Sequence, residues 1–142
     1  MTVAPLSTIG IIGGGQLGRM LAVAAAQLGY QCHIYAPEES GPAGDVARSW
    51  TCGAYDDEAA LARFAAGVDI VTYEFENIPA APIRALARQV PVHPDPRALE
   101  IAQDRATEKA FVDGLGARTA PWAKVDSLAD LAVEPAEAVS RL

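Results

Sequence analysis

The sequence predicts an α/β fold: a Rossmann-like parallel sheet with helices on both faces, followed by the opening of a second domain. Three observations predict it. A β-branched apolar run, Ile9–Ile12, breaks into Gly13-Gly14-Gly15 and passes straight into residues with helical apolar spacing. The same alternation of short strand and helical stretch recurs as far as Val92, and strands that alternate with helices form parallel sheets through right-handed crossovers. After Pro94-Asp95-Pro96 the alternation stops, and two helical stretches follow with no strand between them.

Taken in order, Ile9–Ile12 reads as a buried parallel strand. From Gln16 to Leu28, the residues Leu17, Met20, Leu21, Ala24 and Leu28 form the apolar stripe by which the first helix is expected to pack, with Gly29 as its left-handed cap. Gln31–Tyr35 is a second strand, and Pro37, Gly41, Pro42 and Gly44 mark the loop after it. Asp45–Arg48 is expected to make a short helical turn and Trp50–Gly53 a third strand. Asp56 or Asp57 caps a helix that carries Leu61, Phe64 and Ala65 and closes at Gly67. Val68–Tyr73 is a central strand, Asn77 or Pro79 opens a helix bearing Ile83, Leu86 and Ala87, and Val90–Val92 is a fifth short strand. Pro96–Gln103 and Asp104–Leu115 are helical, Pro121–Val125 is expected to be a strand, and Ser127–Leu142 a helix interrupted near Pro135. The expected domains are therefore 1–103 and 104–142.

Composition narrows the function. A hydrophobic content of 51% over 142 residues is enough for a core. A net charge of −7 argues against a nucleic-acid partner, because phosphate backbones need clustered Lys and Arg. No apolar run approaches the roughly 18–20 residues of a membrane span, and Met1–Ser7 lacks the basic start and apolar stretch of a signal peptide, so a cytoplasmic protein is expected. Cys32 and Cys52 stand twenty positions apart with no CxxC pair, and both are expected to be core residues rather than disulfide or zinc ligands.

Gly13-Gly14-Gly15-Gln16-Leu17-Gly18 matches GxGxxG in the strand-to-helix context that the motif requires. Glycine there permits positive φ and close backbone approach, so the amides and the positive helix end can face an anion; the same glycines also serve a tight turn that binds nothing. A dinucleotide-binding (NAD) module would place an acid at the end of the second strand, where this chain has Ala36-Pro37, with Glu38 and Glu39 just beyond. In Val71-Thr72-Tyr73-Glu74-Phe75-Glu76-Asn77, two carboxylates two residues apart stand at a strand end, where both could face one ligand or simply cap a solvated loop. Asp104, Arg105, Glu108 and Lys109 crowd one helix, with Arg105 and Lys109 on one face; a solvated charged face is the plain reading. His33 and His93 have no nucleophile or metal partner nearby and are assigned no role.

Three segments together resemble one family. Ile11-Ile12-Gly13-Gly14-Gly15-Gln16-Leu17-Gly18-Arg19-Met20, Thr72-Tyr73-Glu74-Phe75-Glu76-Asn77-Ile78-Pro79, and Asp104-Arg105 with Glu108-Lys109 and Thr119-Ala120-Pro121-Trp122 look like the N-terminal part of the N5-carboxyaminoimidazole ribonucleotide synthetases, the PurK family of ATP-grasp enzymes. The resemblance implies a pre-ATP-grasp domain and the start of an ATP-grasp domain. It implies an ATP-dependent ligase of purine biosynthesis that activates bicarbonate, as carboxyphosphate, and carboxylates 5-aminoimidazole ribonucleotide. By the same resemblance Gly15, Gln16, Leu17 and Glu74, with Glu76 as a weaker candidate, bind the ribonucleotide. Arg105 lies near the nucleotide phosphates, Mg2+ accompanies ATP, no membrane or nucleic acid is involved, and the full-length enzyme is a homodimer. A complete synthetase continues into an ATP-clamping lysine, a lid loop and acidic metal ligands that this sequence lacks, so the chain alone is expected to be inactive.

Overall fold

Four short apolar runs become parallel strands because each is too short and too β-branched to hold a helix and is bounded by turn residues. In the computed structural model, which describes residues 3–128 and 130, they are β1 (Thr8–Ile12), β2 (Gln31–Ala36), β3 (Ser49–Cys52) and β4 (Ile70–Tyr73). They form one sheet in the order β3-β2-β1-β4, all neighbours parallel. The helices are α1 (Gln16–Gln27), α2 (Glu58–Ala65), α3 (Ala80–Leu86), α4 (Arg97–Ala102) and α5 (Arg105–Gly114). The chain divides into two compact units, Met1–Glu100 and Ile101–Leu142.

Alternation along the strands sends neighbouring side chains to opposite faces, and each face has its own core. Ile11, Ile34, Cys32 and Ala36 pack with Ala22 and Ala25 of α1. Ile12, Tyr35 and Val71 pack on the other face with Leu61 and Phe64 of α2, Ile83 and Leu86 of α3, and Leu99 of α4. Helices on both faces were the expectation, and this is the arrangement found. Asp57 is the residue that caps α2, its side chain accepting from the Ala60 N–H at 2.9 Å, and Pro79 is the N-cap of α3. Gly29, at φ +83°, ends the α1 segment in the left-handed region, as its position predicts.

Four expectations are corrected. The α1 stripe is turned away from the sheet: Leu17, Met20, Leu21 and Leu28 are exposed, as is Ala24, while Gly18, Ala22 and Ala25 are buried. Both sets have helical period and differ by a small rotation; the helix lies so close to the turn that only small residues fit beneath it. Val90–Val92 makes a single parallel bridge, Val71 to Val92, rather than a strand, because its pairing ends after Val71 accepts from the His93 N–H. Pro121–Val125 has no regular secondary structure. Cys52 is exposed, its Sγ against the Pro37 carbonyl, whereas Cys32 is buried as expected; both thiols are free. Most of the expected helix Ser127–Leu142 lies outside the described residues. Among the described residues no helix is long and apolar enough to cross a membrane.

Candidate functional site

β1 and β4 are neighbours although α1, β2, β3 and α2 intervene in sequence, so the chain leaves β1 on one side and returns beside it from the other. Such a reversal of strand order is where doubly wound sheets open a crevice at their carboxyl ends. Ile12 pairs with Tyr73, which sets the glycine turn and Glu74 side by side just beyond the strands.

The turn does face an anion, and the chain itself supplies it. Glu74 Oε1 accepts from the Gly15 N–H at 3.0 Å, and Oε2 accepts from the Gly18 N–H in a short contact. A carboxylate at a helix N-terminus is favoured by the helix dipole and by N–H groups that have no intrahelical partner. The glycines make room for it. Gly13 holds φ +113°, and a Cβ there would lie 2.6 Å from Glu74 Oε1; a Cβ on Gly18 would lie 2.7 Å from the Gly13 carbonyl oxygen. With the Gly15 and Gly18 amides engaged by Glu74, and Ala36-Pro37 rather than an acid at the end of β2, the turn is poorly suited to a dinucleotide pyrophosphate.

Beside Glu74 opens a cavity of about 340 Å³, lined by Gly14, Gly15, Glu38, Ser40, Gly41, Pro42, Trp50, Tyr55, Glu74 and Phe75. The loop after β2 forms one wall. It is strapped over the turn by the Ala43 N–H to the Gly14 carbonyl at 3.1 Å and by Arg19, which pairs with Asp45 at 2.7 Å and leans on the Pro42 carbonyl. Trp50 Nε1 donates to the Glu38 carbonyl at 3.0 Å, fixing the indole against the same loop. The opposite wall is aromatic: Tyr55 meets Phe75 edge-on at 6.1 Å and Tyr35 at 6.4 Å. Burial, reinforced by the negative charges of Glu38 and Glu74, pushes the Tyr55 phenol up to about 12.

The predicted residues therefore separate. Gly15 and Glu74 come together in the cavity. Gln16 and Leu17 are exposed at the start of α1 and Glu76 is exposed beyond β4, and none of the three lines the cavity. Because β4 ends at Tyr73, the two-residue alternation proposed for Glu74 and Glu76 has no strand to carry it. Glu38, Trp50, Tyr55 and Phe75 were not singled out for this cavity. Phe75 stood in the motif as a spacer, and nothing in a single sequence places the short strand of Trp50 beside the glycine turn.

In the second unit, Arg105 pairs with Glu108 at 2.5 Å and its side chain is exposed. Asp104 caps α5 by accepting from the Thr107 N–H at 2.7 Å, which with the Thr107 hydroxyl holds its carboxyl below the usual range. Arg105, Lys109, Trp122 and Lys124 line a cavity of about 240 Å³. Three cations and an indole on one small cavity suit an anionic, ring-bearing ligand. Among the described residues no group of three or more His, Cys, Asp and Glu could hold a metal ion.

Residues 6–103 match the family described as the ribonucleotide synthetase preATP-grasp domain. N5-carboxyaminoimidazole ribonucleotide synthase of Brucella melitensis biotype 1 is 54% identical over 125 residues, covering 88% of this chain and 34% of that protein. The crystal structure of N5-carboxyaminoimidazole ribonucleotide synthetase from Thermus thermophilus superposes with a TM-score of 0.81 at 47% identity, covering 94% of this chain and 36% of the other. N5-carboxyaminoimidazole synthase from Aspergillus clavatus, solved in complex with ADP and 5-aminoimidazole ribonucleotide, has a TM-score of 0.74 at 27% identity, covering 89% of this chain and 34% of that one. The chain thus spans about a third of the length of these relatives.

Proposed function

Because the chain belongs to the ribonucleotide synthetase preATP-grasp family, we propose that it is the substrate-side part of an N5-carboxyaminoimidazole ribonucleotide synthetase. The complete enzyme uses ATP and bicarbonate to carboxylate the amine of 5-aminoimidazole ribonucleotide in purine biosynthesis, in the cytoplasm and as a homodimer. The first 103 residues bind the ribonucleotide, and residues 104–142 begin the ATP-grasp part. The carrying observation is Glu74, held by two backbone amides at the mouth of an aromatic-walled cavity. Fixed there, a carboxylate accepts hydrogen bonds from hydroxyl or amine groups without a cost of reorienting on binding.

Gly15, Gln16 and Leu17 contribute backbone on the turn side, the N–H groups of Gln16 and Leu17 being the remaining donors of the first helical turn. Glu76 is the outer, weaker contact. In the second unit Arg105, whose cavity carries two lysines, would hold the nucleotide phosphates, and its fixed charge would offset negative charge there. Mg2+ would accompany ATP and neutralise the triphosphate; its ligands are sought outside the described residues, which offer no such cluster. The labile mixed anhydride needs a closed, water-poor cleft, to which this part contributes the ribonucleotide wall.

Calorimetric titration of the chain with 5-aminoimidazole ribonucleotide and, separately, with NADH tests the reading. Ribonucleotide heat that vanishes in Glu74→Ala, with no NADH heat, is the expected outcome. NADH binding without any response to the ribonucleotide overturns it.

A further inference from the structure

The chain has four tyrosines, and three of their hydroxyls are bonded to its own carbonyls: Tyr30 to Val3 at 3.2 Å, Tyr35 to Ala54 at 2.6 Å and Tyr73 to Asp95 at 3.2 Å. Tyr55 is the exception among the described residues. Its ring is set between Tyr35 and Phe75, half-buried, and the residue lines the cavity with no hydrogen bond from its hydroxyl to the described residues. Glu38 and Glu74 line the same cavity, and no Lys or Arg lines it.

We propose that Tyr55 and Glu38 are ligand-binding residues of this cavity, which together with Glu74 receive a neutral hydrogen-bond-donating group of the ribonucleotide, a sugar hydroxyl or the ring amine. The inference rests on the ribonucleotide reading given above and adds to it two residues and an orientation. Three oxygen-bearing groups line one cavity: two carboxylates that only accept, and a phenol that stays protonated and can donate to one carboxylate while accepting from the ligand. A phosphate would meet the two like charges of Glu38 and Glu74, while Arg19 beside the Pro42 wall is already paired with Asp45, so the phosphate lies away from this cavity. The Trp50 and Phe75 rings flank the space and suit the flat imidazole.

Tyr55→Phe keeps the ring contacts and removes only the oxygen. Its melting temperature should match wild type, while affinity for 5-aminoimidazole ribonucleotide should fall about three- to tenfold, the loss of one hydrogen bond. Glu38→Gln should show a loss of similar or greater size. Two ligand analogues, one without the ring amine and one without the 2′-hydroxyl, identify the donor: the effect of Tyr55→Phe disappears with the analogue that lacks the bonded group. Affinity of Tyr55→Phe within twofold of wild type, or a loss that persists with both analogues, overturns the proposal while leaving the ribonucleotide reading intact. If wild type binds no ribonucleotide, that reading falls and this one with it.

Discussion

Replacing Glu74 should cost stability as well as ligand, because its carboxylate terminates the glycine turn. A hydrogen bond to a charged group contributes about 1.5–3 kcal/mol when protected from solvent. Glu74 is half-buried, which places each of its two bonds at the low end. Removing both leaves two amides short of partners at the start of α1 and also removes a favourable helix-end charge of about 0.3–1 kcal/mol. For Glu74→Ala the sum is roughly 3–4 kcal/mol, and Glu74→Gln, which keeps one acceptor and loses the charge, should cost about half. In a unit of this size 1 kcal/mol moves the melting temperature by about 4–8 °C, so the alanine variant should melt roughly 12–32 °C lower. Thermal unfolding followed by circular dichroism measures the shift, and amide hydrogen exchange at Gly15 and Gly18 locates it. A Glu74→Gln variant that melts with wild type, or unchanged exchange at both glycines in the alanine variant, would refute the reasoning.

Gly18→Ala would drive a Cβ to 2.7 Å from the Gly13 carbonyl and 2.9 Å from Glu74 Oε2; overpacking of that kind costs about 1–3 kcal/mol. Gly114→Ala, with open space around it, should be neutral or stabilising in the same urea titration, and equal costs at the two sites would contradict the close approach. His33, packed edge-on against Phe64 and bonded to Thr51 at 2.8 Å, is held below its ordinary value of 6.5 by burial. Below pH 6.5 the unfolded chain therefore takes up a proton that the folded one resists, and stability falls as pH drops towards the folded value. His33→Phe should flatten the decline in urea midpoint between about pH 7 and 5, and parallel declines in the two proteins would speak against it.

The first four strands and their parallel sense were legible because short apolar runs alternate with helical stretches, whereas the order β3-β2-β1-β4 and its reversal at β1 were not, since alternation alone leaves strand order open. The face of α1 was not legible. Period alone cannot separate a stripe of Leu17, Met20, Leu21, Ala24 and Leu28 from one of Gly18, Ala22 and Ala25, and the decision is made by how near the helix lies to the turn. Val90–Val92 failed as a strand for want of a continuing partner, a fact of pairing rather than of composition. Gly15 and Glu74 could be picked out by motif, but not that one would bind the other across 59 positions. Tyr55 gave no signal and Glu38 drew notice only as an acid near the end of β2, since what distinguishes them is a shared cavity assembled from the separate loops that follow β1, β2, β3 and β4.

The bond between Glu74 and the turn also constrains how such sequences can drift. Small size at positions 13 and 18 is imposed jointly by Glu74 and by the turn's own backbone: a Cβ on Gly13 would meet the Glu74 carboxylate, and one on Gly18 would meet the Gly13 carbonyl at 2.7 Å as well as Glu74 Oε2 at 2.9 Å. Across related sequences position 15, whose Cβ would meet only Glu74, should be the first to vary where the glutamate is lost, while Gly13, at φ +113°, and Gly18 stay small.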